Sequence, residues 1–267
     1  PQRWPMHSLV KFHVPSGKLA VHWFGQSSFA IKTPEGTIVL VDPYFPHDRP
    51  ADVFIHGEPP LDESTLPVHG VLLTHDHGDH THPETLERVI NKSPETVFLG
   101  PIESKIRVGE LGVGDDNFTT VEVGSSYSIG DLNVHVVYAK PPEGDPGNNI
   151  DTPDVTHIGF VVESDDIRLY ITGDPINTFA NIDALVEPVR VLAPQVGWIT
   201  CHPTEGEFPF FEGCVKMAQR IGLEQVFPSH YQCFVERNYE PDEWASKFPA
   251  DGPKPRVVNY NDTVLVP

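Results

Sequence analysis

The chain has 267 residues, 39% of them hydrophobic, and 38 acidic against 18 basic side chains give a formal charge of −20. That length supports a substantial buried core, in one large domain or two small ones. No apolar run approaches the length of a membrane-spanning helix, and so negative a field repels a phosphate-rich polymer at long range, which argues against nucleic acid as a partner.

The stretch from Pro1 to Phe12 has no apolar segment of the kind a secretory leader needs. Cys201, Cys214 and Cys233 are too few for a disulfide framework and read as small buried residues of a reducing compartment. Both features point to the cytoplasm. The 28 prolines imply stiff loops.

The first predicted strand runs from Leu19 to Phe24. Gly25-Gln26-Ser27-Ser28 turns it into Phe29 to Lys32, and Pro34-Glu35-Gly36 turns that into Thr37 to Val41. This meander ends in Asp42-Pro43-Tyr44. Residues Phe45 to Pro67, rich in proline and acid, predict a long surface loop. His47, His56 and His69 lie in or near it and receive no role. Val68 to Leu73 is an apolar run that reads as a buried strand.

Thr74-His75-Asp76-His77-Gly78-Asp79-His80 follows that strand. Three imidazoles and two carboxylates in so short a span exceed what solvation explains. Imidazole nitrogens and carboxylate oxygens are ligands for zinc and similar metals. Gly78 permits a tight turn, so ligands close in sequence can converge. A helix is predicted next, capped by Thr81 or His82, with Pro83 at its first position and Leu86, Val89 and Ile90 as its buried stripe.

Thr96 to Leu99 and Thr119 to Val123 predict short strands, and Asp131 to Tyr138 a longer one. The run Lys140 to Asn149 is an irregular loop. Strands follow over Ile158 to Glu163 and over Ile167 to Thr172, the latter ending in Gly173-Asp174-Pro175. Val196 to Thr200 leads to Cys201-His202-Pro203-Thr204, and a helix from Phe210 to Ile221 stops at Gly222. Gln225 to Phe227 leads to Pro228-Ser229-His230-Tyr231. The tail, Pro255 to Val266, predicts a hairpin-like pair around Asn261-Asp262. No internal period is visible in the local motifs.

The spacing H-x-H-x-D-H resembles the signature of the metallo-β-lactamase superfamily. Trp23-Phe24-Gly25-Gln26-Ser27-Ser28-Phe29 followed by Val41-Asp42-Pro43 is similar to the branch that includes L-ascorbate-6-phosphate lactonase. The resemblance implies one domain over 1–267, an α/β fold built as a four-layer αβ/βα sandwich. It implies that His75 and His77 serve one metal site, that Asp79, His80 and His230 serve a second, and that Asp174 bridges them; as a turn residue before proline, Asp174 has a structural reading too. Many members place a further histidine after the strand that here precedes Lys140-Pro141. His157 is the substitute, as a ligand or as a residue of the site wall, and His135 is read as an ordinary strand residue. Asp42 either caps a strand end or orients a ligand histidine, and the resemblance favours the second. Gln26 stands where many relatives have histidine, on the rim of the active site. Tyr231 is expected behind the ligands or against the substrate. His202 either contacts substrate on the same rim or sits in a solvated loop.

The implied cofactor is one or two divalent ions, zinc or manganese, and the implied chemistry is hydrolysis of a small lactone or phosphoester by activated water, with Asp79 also accepting a proton. No G-x-S-x-G elbow offers an alternative nucleophile. A nuclease or phosphodiesterase of the same superfamily is the alternative, opposed by the acidic balance. A redox or non-catalytic protein is a third; His77, where di-iron oxygen reductases carry glutamate, argues for hydrolysis. The resemblance also allows a homo-oligomer.

Overall fold

Alternation along the first strand decides the layers. In the computed structural model, which describes residues 5–204 and 206–267, β1 (Leu19–Trp23) turns Leu19, Val21 and Trp23 into one apolar cluster and Ala20 into another. The first cluster lies between two sheets. The second lies between the first sheet and its covering helices.

Strands β2 (Phe29–Lys32), β3 (Ile38–Val41), β4 (Gly70–Leu72), β5 (Val97–Gly100) and β6 (Phe118–Thr120) extend the first sheet from β1. The second sheet contains β7 (Ser126–Ile129), β8 (Leu132–Tyr138), β9 (Ile158–Ser164), β10 (Ile167–Ile171), β11 (Val196–Thr200), β12 (Gln225–Ser229) and β13 (Lys254–Pro255), in that spatial order. Strand β14 (Asp262–Val266) returns to the first sheet and pairs antiparallel with β1. Leu86 and Val89 of α2 (Pro83–Lys92) and Val108 of α3 (Ile102–Gly109) cover the outer face of the first sheet, with α1 (Ser8–Lys11) beside them. Helices α4 (Asp183–Leu192) and α5 (Phe211–Ile221), and Trp244 of α6 (Pro241–Ala245), belong to the first cluster, which continues from between the sheets to the helices of the second sheet. This is the four-layer αβ/βα sandwich.

Each sheet changes hand midway. β14, β1, β2 and β3 pair antiparallel, then β3 to β6 pair parallel. β7 to β10 pair antiparallel, then β10 to β13 pair parallel. The topology therefore repeats, although no repeat shows in the local motifs. Asp42 leaves β3 and Asp174 leaves β10, the two strands at which each sheet changes hand.

Three expectations need correction. The tail is not a hairpin: β13 lies beside β12 in the second sheet and β14 beside β1 in the first. Pairing with β14 covers what would be an exposed sheet edge at β1. The segment from Phe45 to Pro67 is not a simple surface loop. Phe45, Leu61 and Leu66 are buried, and Arg88 of α2 pairs with Glu63 at 2.9 Å. Helices α3, α4 and α6 and strand β7 lack a clear sequence signal. Ile102 and Ile106 of α3 are exposed while Ser104 and Val108 are buried, so its apolar stripe is misleading. Pro188 lies inside α4, where a missing N–H argues against a helix. The motif helix begins as expected, with His82 as the cap.

Trp198 of β11 joins the two sheets. Its ring stacks on Phe227 at 4.1 Å and meets the edge of Phe29, from the facing sheet, at 5.3 Å. Its Nε1 donates to the Pro228 carbonyl at 3.1 Å. Trp198→Ala is expected to lower the free energy of unfolding by about 3–5 kcal/mol, read by chemical denaturation; a loss below about 1 kcal/mol would show that the two layers hold without it.

Candidate metal centre

The motif loop leaves β4 at the C-terminal end of the first sheet and enters α2. Its shape is set by contacts outside the ligands. Thr74 donates its N–H to Asp42 Oδ1 at 2.8 Å and its hydroxyl to Asp42 Oδ2. Asp76, the carboxylate of the motif that turns away from the cluster, takes two hydrogen bonds from the guanidinium of Arg107 on α3. Ser104 of the same helix bonds Thr81 at 2.9 Å. Glu103 accepts from both the N–H and the hydroxyl of Thr156, immediately before His157. Helix α3 thus holds the motif loop and the His157 loop in one frame.

Within that frame the nominated ligands meet. His75, His77 and His157 each present a ligand atom within 4.8 Å of the others, as do Asp79, His80 and His230. Asp174 lies between the groups. Its Oδ2 is 3.5 Å from His75 Nε2 and 3.2 Å from His80 Nε2, and its Oδ1 is 3.6 Å from His230 Nε2. The His157 ring stacks on His75 at 4.1 Å. Asp42, His75 and His80 also lie close together. The oxygens of Asp42 are already taken by Thr74 and by His80 Nδ1, at 2.7 Å, so it stands behind the ligands.

Buried polar atoms test whether these residues fit a metal. His75 Nε2, His80 Nε2, both ring nitrogens of His157 and Asp174 Oδ1 are buried and make no hydrogen bond. Such atoms cost free energy unless something satisfies them. A cation bound by imidazole and carboxylate would do so, and the donor set is all nitrogen and oxygen, with no thiolate.

The electrostatics agree. Burial, reinforced by repulsion from His80, holds the His75 pKa well below its ordinary value; burial and the nearby Lys140 lower His157 to about 3. Both rings are therefore neutral and have a lone pair to give. Burial alone would raise Asp174 and Asp79, but His80 and His230 outweigh it, and both carboxyls lie below the usual range. His80 is raised well above its ordinary value, because Asp174, Asp79 and Asp42 outweigh its burial.

The remaining candidates divide. Gln26, at the β1–β2 turn, donates from Nε2 to Asp79 Oδ2 at 2.8 Å and lies 3.1 Å from His230 Nε2. The Tyr231 ring is buried between Trp23 and Tyr239, and its carbonyl accepts from the Gln26 N–H. His202 is buried, not a solvated loop residue, with Nδ1 accepting from the Thr204 N–H. His135 pairs across strands with Glu163 at 2.9 Å. The three cysteines are buried and unpaired by disulfides. Asp154, unforeseen from the sequence, lies 2.9 Å from His77 Nε2; nothing in its loop distinguishes it from the neighbouring Asp145 and Asp151.

Replacing Asp42 with Asn puts an amide N–H against the His80 Nδ1–H or forces the ring into its other tautomer. Partners of this kind are worth roughly 10–100-fold in metal affinity. A fall of that size is expected in Asp42→Asn, read by competition with a chromophoric chelator; unchanged affinity would remove Asp42 from the centre.

A family model for the beta-lactamase superfamily domain matches residues 20–230, which include every nominated ligand. The chain is 25% identical over 236 residues to a UPF0173 metal-dependent hydrolase of Myxococcus xanthus, covering 85% of this chain and 75% of that one. It is 26% identical over 251 residues to another from Archaeoglobus fulgidus, covering 90% and 95%. Igni18, a metallo hydrolase from Ignicoccus hospitalis, shares the fold with a TM-score of 0.71 at 19% identity, over 94% of this chain and 99% of that one. From the first strand of the meander to His230, the chain belongs to the beta-lactamase superfamily.

Proposed function

We propose that the protein is a metal-dependent hydrolase of a small, uncharged ester, a lactone in preference to a phosphoester. The observation that carries this reading is the pair of ligand groups, His75/His77/His157 and Asp79/His80/His230, meeting at Asp174 with His75 Nε2, His80 Nε2 and both nitrogens of His157 buried and unpaired. In this reading His75, His77 and His157 hold one divalent ion, zinc or manganese, Asp79, His80 and His230 hold another, and Asp174 serves both. When bound, such ions lower the pKa of water and stabilise charge on an attacked carbonyl oxygen.

The chain's own residues supply the rest. Asp79 is ionised and its side chain is 22% exposed, so it can reach solvent and take up a proton. The Gln26 amide donates to Asp79 Oδ2, the oxygen that faces His80 and His230, and so holds the carboxylate in place. A cavity of about 450 Å³ adjoins the centre through Asp154, which lines it and contacts His77. Its charged lining is Asp151, Asp154 and Glu207 against Lys140, and Lys140 faces Glu207 at 3.5 Å. Asn149, Thr152 and Asn177 add hydrogen-bonding groups. Three carboxylates against one ammonium repel a phosphate and suit hydroxyl groups. A larger cavity, about 640 Å³, lies between α2 and residues 58–64 and contains none of the ligands.

Purified protein loaded with zinc or manganese is expected to open an uncharged hydroxylated lactone faster than its phosphorylated analogue. Chelation should abolish turnover and added metal restore it. Asp79→Asn should lose about 100-fold or more in kcat, the scale of a general base. Turnover that survives chelation, or full activity in Asp79→Asn, would overturn the mechanism; preference for the phosphorylated analogue or for nucleic acid would overturn the substrate class.

A further inference from the structure

In the first ligand group, His75 and His157 are buried and fixed by stacking on one another. His77 differs. Its side chain is 32% exposed, and it meets His75 and His157 edge-on at 4.7 and 5.1 Å. Edge contacts alone leave an imidazole free to flip, which would exchange its two nitrogens. The hydrogen bond that breaks this symmetry comes from the loop after Lys140, where Asp154 Oδ2 lies 2.9 Å from His77 Nε2.

We propose that Asp154 is a positioning residue of the metal centre: its carboxylate fixes His77 with the proton on Nε2 and turns Nδ1 toward the first ion. An ionised carboxylate only accepts hydrogen bonds, so Nε2 must donate. A neutral imidazole then has a single lone pair left, on Nδ1. Carboxylates behind ligand histidines set ring orientation and raise ligand basicity. The other oxygen of Asp154 is 3.9 Å from His157 Nε2, beyond hydrogen-bond reach, so the carboxylate is committed to His77. Because Asp154 also lines the polar cavity, a ligand entering there meets the residue that aims His77. The inference rests on the metal reading above.

The test uses the whole chain, stripped of metal and titrated with zinc against a chromophoric chelator. The step missing in His75→Ala marks the first ion. In Asp154→Ala the affinity for that ion should fall by about 10–100-fold, with the second ion unaffected. Asp154→Asn should recover part of the loss, since its amide oxygen still accepts from Nε2–H. Long-range proton–nitrogen spectra of the zinc-loaded protein should show His77 protonated at Nε2. Wild-type affinity for the first ion in Asp154→Ala, equal loss of both ions, or a His77 protonated at Nδ1 in the wild type would overturn the proposal. A wild-type chain that takes up no zinc would overturn the metal reading, and this proposal with it.

Discussion

The carboxylate of Asp42 is fully buried at the end of β3, and the geometry of the centre starts from how it is satisfied. A carboxylate in such a place is tenable only if donors replace its water. Thr74 supplies an N–H and a hydroxyl, and His80 supplies Nδ1–H. Thr74 follows β4, the parallel neighbour of β3, so these bonds also tie two strand ends together. The Asp42 N–H reaches Leu72 at 3.0 Å, and its carbonyl accepts from Ser28 at 2.7 Å. With Nδ1 committed to Asp42, His80 has only Nε2 to offer, and that atom faces Asp174. A contact that serves folding thereby decides which nitrogen is available for chemistry.

The backbone around the site carries strain that the rest of the fold must hold. Gln26, Asp42 and His230 have φ of +50°, +43° and +70°, in the left-handed region that few residues other than glycine adopt. Such residues persist only where their surroundings over-determine them. Here Gln26 and His230 constrain each other: His230 N–H donates to the Gln26 carbonyl, and Gln26 N–H donates to the Tyr231 carbonyl. Trp23 Nε1 adds a third bond, to the Gln26 carbonyl at 3.0 Å. The two loops come from different sheets, so this knot also joins the halves of the molecule beside the ligands.

The sequence was most legible where chemistry is local. The span His75 to His80 announces itself because five potential ligands fall within one turn, and the meander from Leu19 to Val41 because short apolar runs alternate with glycine and proline turns. The role of Asp42 was half legible, since the same residue before proline reads as a turn. Helix α3 was not legible, although it aligns the motif loop with the His157 loop. Its useful residues, Glu103, Ser104 and Arg107, are polar and make no periodic apolar stripe. The depth of Tyr231 and His202 was hidden for a related reason: burial of a polar side chain depends on what packs over it from distant parts of the chain. The crossing of the tail between sheets has no local signal, because a turn such as Asn261-Asp262 looks the same whether the strands beside it pair with each other or with strands elsewhere.

The repeated topology explains how two aspartates that follow matching strands, one directly after β3 and the other three residues after β10, do different work. Asp42-Pro43 follows β3 and Asp174-Pro175 follows β10, and on the next parallel strand threonines stand in register, Thr74 two residues past Leu72 in the first half and Thr200 two residues past Trp198 in the second. In the first half the threonine N–H needs an acceptor and takes Asp42, which draws that carboxylate away from the ligands. In the second half the Thr200 N–H is accepted by the hydroxyl of Thr172 at 3.0 Å, and the Thr200 hydroxyl lies 3.2 Å from that of Ser229. Asp174 is released from the structural duty and turns to His75, His80 and His230. In the first half, Asp42 itself holds the position that corresponds to Thr172: the Asp42 N–H donates to the Leu72 carbonyl as the Thr172 N–H donates to the Trp198 carbonyl, so the acceptor there is a carboxylate in one half and a hydroxyl in the other. The asymmetry of the centre therefore follows from which half of the fold provides a hydroxyl where a strand-end amide needs one.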